Sequence, residues 1–211
     1  LGGINQVQVN VLAGMTFAAA LRAMLRQGPH IIMVGEIRDK ETGTIAVNAS
    51  LTGHFVFSTL HTNDAPGAVS RLIDMGIKPF LVAAATRAVL AQRLVRKFCK
   101  KCETTHTLTE GEMKALELTG EDIKDAHTLI GLGCKSCDGG GYKGRLGLFE
   151  VLEFEDELKR LIIKGESSAT LRDFTLEKGI MKTLRQDGVG KVLSGVTSVA
   201  EVIRVTVSDE I

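Results

Sequence analysis

Glu36 and His61 are the ionisable side chains best placed for chemistry, because each directly follows a short apolar run. The first run, Ile31–Val34, leads through Gly35 to Glu36, and the second, residues 55–60, leads to His61. Apolar runs without alternation suit strands buried on both faces of a parallel sheet. Helices connect such strands, whose carboxyl ends share one edge where ligands bind. The sequence therefore predicts an acid and an imidazole together at a ligand-binding edge.

His54 precedes the second apolar run, whereas His61 follows it. Seven extended residues span roughly 23 Å at about 3.3 Å per residue, so the two histidines cannot share a small ligand within one subunit. We expect His54 to cap a helix or pack at the opposite edge of the sheet, or to face a neighbouring subunit.

All four cysteines of the chain fall into two Cys-x-x-Cys pairs separated by 31 residues: Cys99, Cys102, Cys134 and Cys137. Each pair can bring two thiolates to one ion, and Zn²⁺ takes four such ligands in a tetrahedral arrangement. A closed site of this kind has no open position, so the predicted zinc is structural and not catalytic. The alternatives are four buried free thiols, a redox pair, or a ligand set in which His106 or His127 replaces a cysteine.

Composition limits the class of protein. The 211 residues are 44% hydrophobic and 24% charged, which is typical of a globular protein. The net charge of +1 gives no global attraction to nucleic acid or to an anionic membrane. No apolar run approaches the roughly 20 residues of a membrane span, and we expect no signal peptide from the residues at the start of the sequence. Because the chain opens with Leu1 inside an ordinary folded pattern, we expect a C-terminal part of a longer protein.

Helix and strand patterns place these residues on definite elements. Asp39 is expected to cap the helix between the two apolar runs, and Asp64, followed by Pro66, the helix after His61. A long helix is predicted from about Pro79 to Phe98. Residues 1–13 are expected to form a strand or an extended edge. Residues 146–154 are expected to form a strand that leads into three amphipathic helices: one that carries Leu158, Leu161 and Ile162, one from about Ser168 to Lys178, and one that begins near Ser198.

Three segments resemble those of one family, the type II secretion and type IV pilus assembly ATPases. Ile-Ile-Met-Val-Gly-Glu-Ile-Arg-Asp resembles the family's Walker B segment, Thr-Gly-His-Phe-Val-Phe-Ser-Thr-Leu-His-Thr-Asn-Asp its histidine box, and the cysteine cluster its metal-binding insertion. Shorter segments follow in the family's order, from Gly-Tyr-Lys-Gly-Arg onward. The likeness covers nearly the whole chain.

This resemblance implies an α/β fold, namely the C-terminal part of a RecA-like P-loop NTPase core with two additions. Residues 1–97 would form the second half of the core, residues 98–145 a tetracysteine zinc subdomain, and residues 146–211 a mostly helical C-terminal subdomain. The implied cofactors are ATP, Mg²⁺ and structural Zn²⁺. Glu36 would hold Mg²⁺ and its water or orient the attacking water, and His61 would contact the γ-phosphate. Gly35 and, more weakly, Arg38 are further cofactor-binding candidates.

The resemblance also implies a homo-hexamer that is cytoplasmic and peripheral at the inner membrane. It would act with secretion or pilus platform proteins, without direct contact with nucleic acid. The family's phosphate-binding loop, G-x-x-x-x-G-K-[ST], is absent from the sequence, as is its acidic box, and His30 stands where the family usually has an acidic residue. We therefore expect half a nucleotide site and no useful ATP hydrolysis by this chain alone.

Two other functions remain open at this stage. One is a zinc-ribbon module that binds nucleic acid or protein, although a single Tyr, no Trp and a near-zero net charge disfavour stacking on bases. The other is a pilus retraction or DNA-uptake motor of the same superfamily. The cysteine cluster favours the assembly branch over the retraction branch.

Overall fold

The computed structural model describes residues 2–206, which form an α/β fold. The elements, in chain order, are α1 (Phe17–Leu25), β1 (Ile31–Val34), α2 (Lys40–Leu51), β2 (Phe55–Ser58), α3 (Ala65–Asp74), α4 (Pro79–Ala85), β3 (Ala88–Phe98), β4 (Glu103–Thr105), α5 (Glu110–Ala115), β5 (Leu129–Gly131), β6 (Tyr142–Glu153), α6 (Asp156–Lys164), α7 (Ser168–Glu177), α8 (Leu184–Leu193) and α9 (Val199–Thr206).

The chain divides into two compact units. The first consists of Leu1–Val89 and Leu152–Lys178, and the second of Leu90–Val151 and Gly179–Ile211. The three-part division predicted from the sequence stays a prediction. Within residues 2–206, no helix combines the length and the apolar character that a membrane crossing requires.

Strands β1 and β2 of the first unit pair in parallel, as predicted, with Ile31 opposite Phe55 and Val34 opposite Ser58. Helix α2 connects the two strands. Asp39 caps α2, because its Oδ1 accepts the backbone N–H of Thr42 at 2.8 Å. This strand–helix–strand unit brings the carboxyl ends of both strands to one edge.

The expectation that β1 is buried on both faces is wrong. Ile32 and Val34 are buried in a core with Leu21 of α1 and Ala46 of α2, whereas Ile31 and Met33 are 65% and 59% exposed. Successive side chains of a strand point to opposite faces, and within residues 2–206 the helices α1 and α2 cover only one of them. An uninterrupted apolar run therefore does not reveal which faces are covered.

The expectation of one long helix over residues 79–98 is also wrong. Helix α4 ends at Ala85, and the following residues form β3, which pairs with β6. The Leu, Val and basic residues of this segment are compatible with a helix or with a strand. The segment forms a strand because it pairs with β6, which begins more than forty residues later in the chain. Of the strand or extended edge expected over residues 1–13, no strand is formed within the described residues 2–13: Val11–Ala13 is a short 3₁₀ helix, and Asn10 makes an isolated bridge to Met15.

Glu201 in α9 is a buried carboxylate of the second unit that accepts hydrogen bonds from two arginines. Its side chain is 2% exposed and accepts hydrogen bonds from Arg96 Nη2 at 2.8 Å, from the Arg96 backbone N–H at 2.8 Å, and from Arg204 Nη2 at 2.9 Å. Burial raises the pKa of Glu201, but the bonds from Arg204 and Arg96 outweigh burial and lower the pKa to about 2.

We predict that Glu201→Gln lowers the free energy of unfolding by about 3 kcal/mol at pH 7, because the substitution removes the buried negative charge that the hydrogen bonds from Arg96 and Arg204 stabilise and that holds the folded-state pKa at about 2. Urea unfolding measures the change, and the exposed Glu110→Gln serves as control with a change below about 0.5 kcal/mol. Because the pKa of Glu201 is lower in the folded state, its contribution is complete above about pH 4.5 and is lost as the pH falls towards 2. If the difference in unfolding free energy between the parent protein and Glu201→Gln does not shrink as the pH falls from 4.5 towards 2, the lowered pKa of Glu201 is contradicted.

Candidate functional site

The carboxyl ends of β1 and β2 are joined by two hydrogen bonds beyond the sheet ladder. The backbone N–H of Ile37 donates to Thr59 O at 3.0 Å, and the hydroxyl of Thr59 donates to Gly35 O at 2.6 Å. The turns that carry Glu36 and His61 are therefore attached to each other. Sequence analysis did not identify Thr59 as a functional residue. The only feature that could have indicated it is the position of a hydroxyl residue directly after β2.

Glu36 and His61 meet at this edge, as predicted. Glu36 Oε2 lies 3.0 Å from His61 Nε2 and 2.6 Å from Arg38 Nε. A carboxylate can only accept, so His61 Nε2 carries the proton of this hydrogen bond. The Glu36 side chain is 22% exposed, whereas His61 is 74% exposed and accessible to a ligand.

The charge state of Glu36 follows from these contacts. The hydrogen bond from Arg38, and after it the one from His61, lowers the pKa of Glu36 below its ordinary value. The carboxylate is therefore ionised at neutral pH. An ionised carboxylate beside an imidazole can bind a cation, accept a proton from water, or orient a water molecule.

His54 lies at the opposite end of β2, as expected. Its Nδ1 is 3.0 Å from Ala49 O, near the C-terminal end of α2, and the backbone N–H of His54 donates to the same carbonyl at 3.1 Å. The backbone N–H and the hydroxyl of Thr52 donate to the same helix-end carbonyl, at 3.2 Å and 3.0 Å. His54 thus packs against the C-terminal end of α2, at the end of β2 opposite to the Glu36–His61 pair.

The four cysteines of the second unit converge on one point: the Sγ atoms of Cys99, Cys102, Cys134 and Cys137 all lie within 4.8 Å of one another. Three of the separations are 3.9 Å (Cys99 to Cys134), 3.8 Å (Cys102 to Cys137) and 3.8 Å (Cys134 to Cys137). Four sulfurs at about 2.3 Å from a tetrahedral Zn²⁺ are about 3.8 Å apart. The spacing fits a zinc ion and is too long for a disulfide, whose sulfurs lie at about 2.05 Å.

Two thiols of this group differ in acidity. Burial raises the pKa of Cys102 to about 12, whereas the backbone N–H of Cys134, 3.2 Å from Cys137 Sγ, lowers the pKa of Cys137 to about 7. The thiolate is the form that binds metal. Of these two thiols, Cys137 is therefore the one that ionises more readily.

Of the two alternative histidine ligands, His106 has a side-chain partner. His106 Nε2 is 3.0 Å from Glu112 Oε2, at the capping box of α5, and the backbone N–H of His127 donates to Leu193 O. Among residues 2–206, the group with metal-binding geometry contains the four cysteines and neither of these histidines.

Gly131 and Gly141 form a close backbone contact next to the cysteine group. A Cβ on Gly131 would lie 2.1 Å from Gly141 O, and that carbonyl accepts the backbone N–H of Cys99 at 2.9 Å. A side chain at residue 131 must therefore displace the segment that positions Cys99.

We predict that Gly131→Ala weakens zinc binding by tenfold to about 100-fold, the range typical of groups that orient metal ligands. Competition with a chromophoric chelator measures the affinity. Gly120→Ala is the control, because a Cβ there has nothing within 4 Å. Equal affinities of the two variants would show that the close contact does not position the ligands.

The structure shows an α/β protein with an acid–imidazole pair at the carboxyl edge of β1 and β2 and with four cysteines whose sulfur spacing fits a metal ion. The chain belongs to the Type II/IV secretion system protein family, whose family model matches residues 1–204. The resemblance of the sequence motifs is thereby confirmed.

Among its relatives, the type IV pilus assembly ATPase PilB of Thermus thermophilus is 49% identical over 205 residues, which are 97% of this chain and 23% of that protein. The type II secretion system protein E of Pseudomonas aeruginosa is 49% identical over 207 residues, 98% of this chain and 40% of that protein. The chain thus spans less than half the length of these relatives.

Solved structures share the fold at low sequence identity. The pilus retraction motor PilT with bound ADP has a TM-score of 0.63 at 23% identity, covering 94% of this chain and 46% of that one. The Legionella pneumophila ATPase DotB has a TM-score of 0.63 at 21% identity, and the match covers 97% of this chain and 47% of that one. The α/β fold of this chain is therefore the fold of part of these ATPases.

Proposed function

We propose that the full-length protein is an ATP-hydrolysing motor of type II protein secretion or type IV pilus assembly. The observation that carries the proposal is the pairing of Glu36 with His61 at the carboxyl edge of β1 and β2, in a chain of the Type II/IV secretion family. The names of the relatives at 49% identity support the same two processes.

The residues at the edge suit phosphoryl transfer, which depends mainly on positioning and on charge stabilisation. Glu36, kept ionised by its neighbours, would hold Mg²⁺ and its water or orient the attacking water. His61, whose imidazole is 74% exposed, would contact the γ-phosphate. Gly35 and Arg38 would complete the cofactor contacts from this chain. When bound, Mg²⁺ supplies positive charge to the phosphate oxygens.

The cysteine group would hold one structural Zn²⁺, because its sulfur spacing matches tetrahedral coordination and leaves no open position. Its role would be to join two segments of chain, residues 99–102 and 134–137. We assign it no step in ATP hydrolysis.

Assembly and location follow from the proposed motor function. The full-length protein would form a homo-hexamer in the cytoplasm, peripheral at the inner membrane through secretion or pilus platform proteins. No direct binding of nucleic acid is proposed. The division into residues 1–97, 98–145 and 146–211, as second half of the ATPase core, zinc subdomain and helical subdomain, is part of the same proposal.

A pilus retraction or DNA-uptake motor is the second candidate, since PilT is among the solved structures with the same fold. The tetracysteine group favours the assembly branch. A free-standing zinc-ribbon module is not supported, because the family match extends over both cysteine pairs and over β1 and β2.

The coding sequence upstream of Leu1 tests the ATPase proposal directly. A G-x-x-x-x-G-K-[ST] loop some tens of residues before Leu1 would supply the phosphate-binding half of the site, and its absence would overturn the proposal.

We further predict that residues 1–211 alone release no phosphate from ATP above background, because the sequence lacks that loop. A phosphate-release assay compares this chain with the full-length protein at equal molar concentration. Equal turnover by the two would mean that the active site lies wholly within residues 1–211, contrary to the proposal.

A further inference from the structure

The turn that carries His61 is attached at both ends. At its start, Thr59 bonds to the turn after β1 through its hydroxyl and its carbonyl. At its end, Asp64 begins α3, and Thr62 Oγ1 donates to Asp64 O at 3.1 Å. The His61 side chain itself is 74% exposed. The position of its imidazole therefore depends on how firmly the backbone on either side is held.

The two carboxylate oxygens of Asp64 have different partners. Oδ1 accepts the backbone N–H of Gly67 at 2.8 Å, which is the N-cap of α3. Oδ2 accepts Arg172 Nη1 at 2.7 Å, and this ion pair is only partly exposed, at 33% for Arg172 and 28% for Asp64. An arginine 108 residues away in the chain thus fixes the end of the His61 turn.

Arg172 is itself held by a packed helix. Its neighbour Leu171 is 1% exposed, and Thr175, 0% exposed, donates its hydroxyl to Arg172 O at 2.8 Å. Helix α7 packs against α3 within the first unit. The guanidinium is therefore presented to Asp64 from a fixed backbone, so the ion pair can restrain the turn.

We propose that Arg172 is a positioning residue for the His61 imidazole, acting through Asp64. The inference rests on the function proposed for Glu36 and His61, and it adds a residue that no sequence motif indicated. Arg172 touches neither Glu36 nor His61. Its effect is to keep the turn of residues 59–64 in the conformation that sets His61 3.0 Å from Glu36.

Hydrogen exchange in the full-length protein tests the proposal without reference to turnover. Arg172→Met keeps much of the aliphatic side chain and removes the charge. We expect amides of residues 60–67 to exchange about fivefold faster in this variant, with β1 unchanged. Arg160→Met, an exposed arginine of α6, is the control. Unchanged exchange in residues 60–67 would overturn the proposal.

A double-mutant cycle on ATP turnover provides the second test. Asp64→Asn keeps a good helix N-cap and loses the charge pair. We expect each single variant to lower kcat on the order of tenfold with an unchanged Kd for MgATP, and the double variant to be no worse than either. Arg172→Lys, which retains one charge-assisted hydrogen bond, should recover part of kcat. A merely structural role would instead lower the melting temperature in parallel with kcat.

The outcomes separate this inference from the proposed function. If the parent protein hydrolyses ATP and Arg172→Met does so at the parent rate, or if the two single effects add, the positioning role is refuted and the ATPase proposal stands. If the parent has no ATPase activity, the proposed function fails, and the exchange of residues 60–67 still decides whether Arg172 holds the turn.

Discussion

Glu36→Gln in the full-length protein is expected to lower ATP turnover by about 100-fold or more while ATP binding is retained. Glutamine has nearly the same shape, and its carbonyl oxygen can accept the hydrogen bonds that Arg38 and His61 donate to Glu36 Oε2. The substitution therefore removes the negative charge and leaves the site otherwise intact. Turnover is measured by phosphate release, and binding by titration with a fluorescent ATP analogue.

Glu177→Gln is the matched control for this variant, because Glu177 is an exposed glutamate at the end of α7. It should leave turnover within twofold of the parent. Normal turnover by Glu36→Gln would refute the role of Glu36. A loss of binding equal to the loss of turnover would indicate that Glu36 contributes to nucleotide affinity and not to the chemical step.

Cys99→Ser is expected to abolish the metal content of the protein. We predict about one zinc per chain in protein purified without chelator, because four thiolates at tetrahedral spacing form one closed site. A serine hydroxyl is a poor substitute for a buried thiolate. Binding energy at structural zinc sites is folding energy, so the second unit should also lose several kcal/mol of stability.

Elemental analysis measures the zinc, and thermal unfolding with and without a chelator measures its contribution to stability. Ser136→Ala, which changes a residue between Cys134 and Cys137 without altering a ligand, should retain the metal. Finding no metal in the parent protein, or full occupancy in Cys99→Ser, would exclude the site as described.

Local chemical signals allowed much of the site to be predicted from the sequence. Glu36 and His61 each follow an apolar strand, and the geometry of parallel strands then requires them to meet. The Cys-x-x-Cys pairs predicted a common metal site. The cap of α2 at Asp39 was equally visible, since a carboxylate before a helical pattern accepts the free N–H groups of the first turn.

The predictions that failed depend on contacts distant in sequence. β3 was predicted as a helix because its pairing with β6 cannot be seen in its own residues. Helix α8 was not predicted, and it contains Gly188, which lowers helix propensity. The structure supplies a reason for that glycine: a Cβ there would lie 2.5 Å from Val202 Cγ1 of α9. The Arg172–Asp64 ion pair was not predicted either, because its two residues lie 108 positions apart in the sequence.

The most direct test of the account is a structure of the full-length protein with Mg²⁺ and a non-hydrolysable ATP analogue. We predict that the His61 imidazole lies within hydrogen-bonding distance of a γ-phosphate oxygen, and that the Glu36 carboxylate faces Mg²⁺ or its bound water at the same edge. A nucleotide bound elsewhere, with the Glu36–His61 pair unchanged and out of its reach, would contradict the assignment of this edge as the reacting-phosphate half of the site.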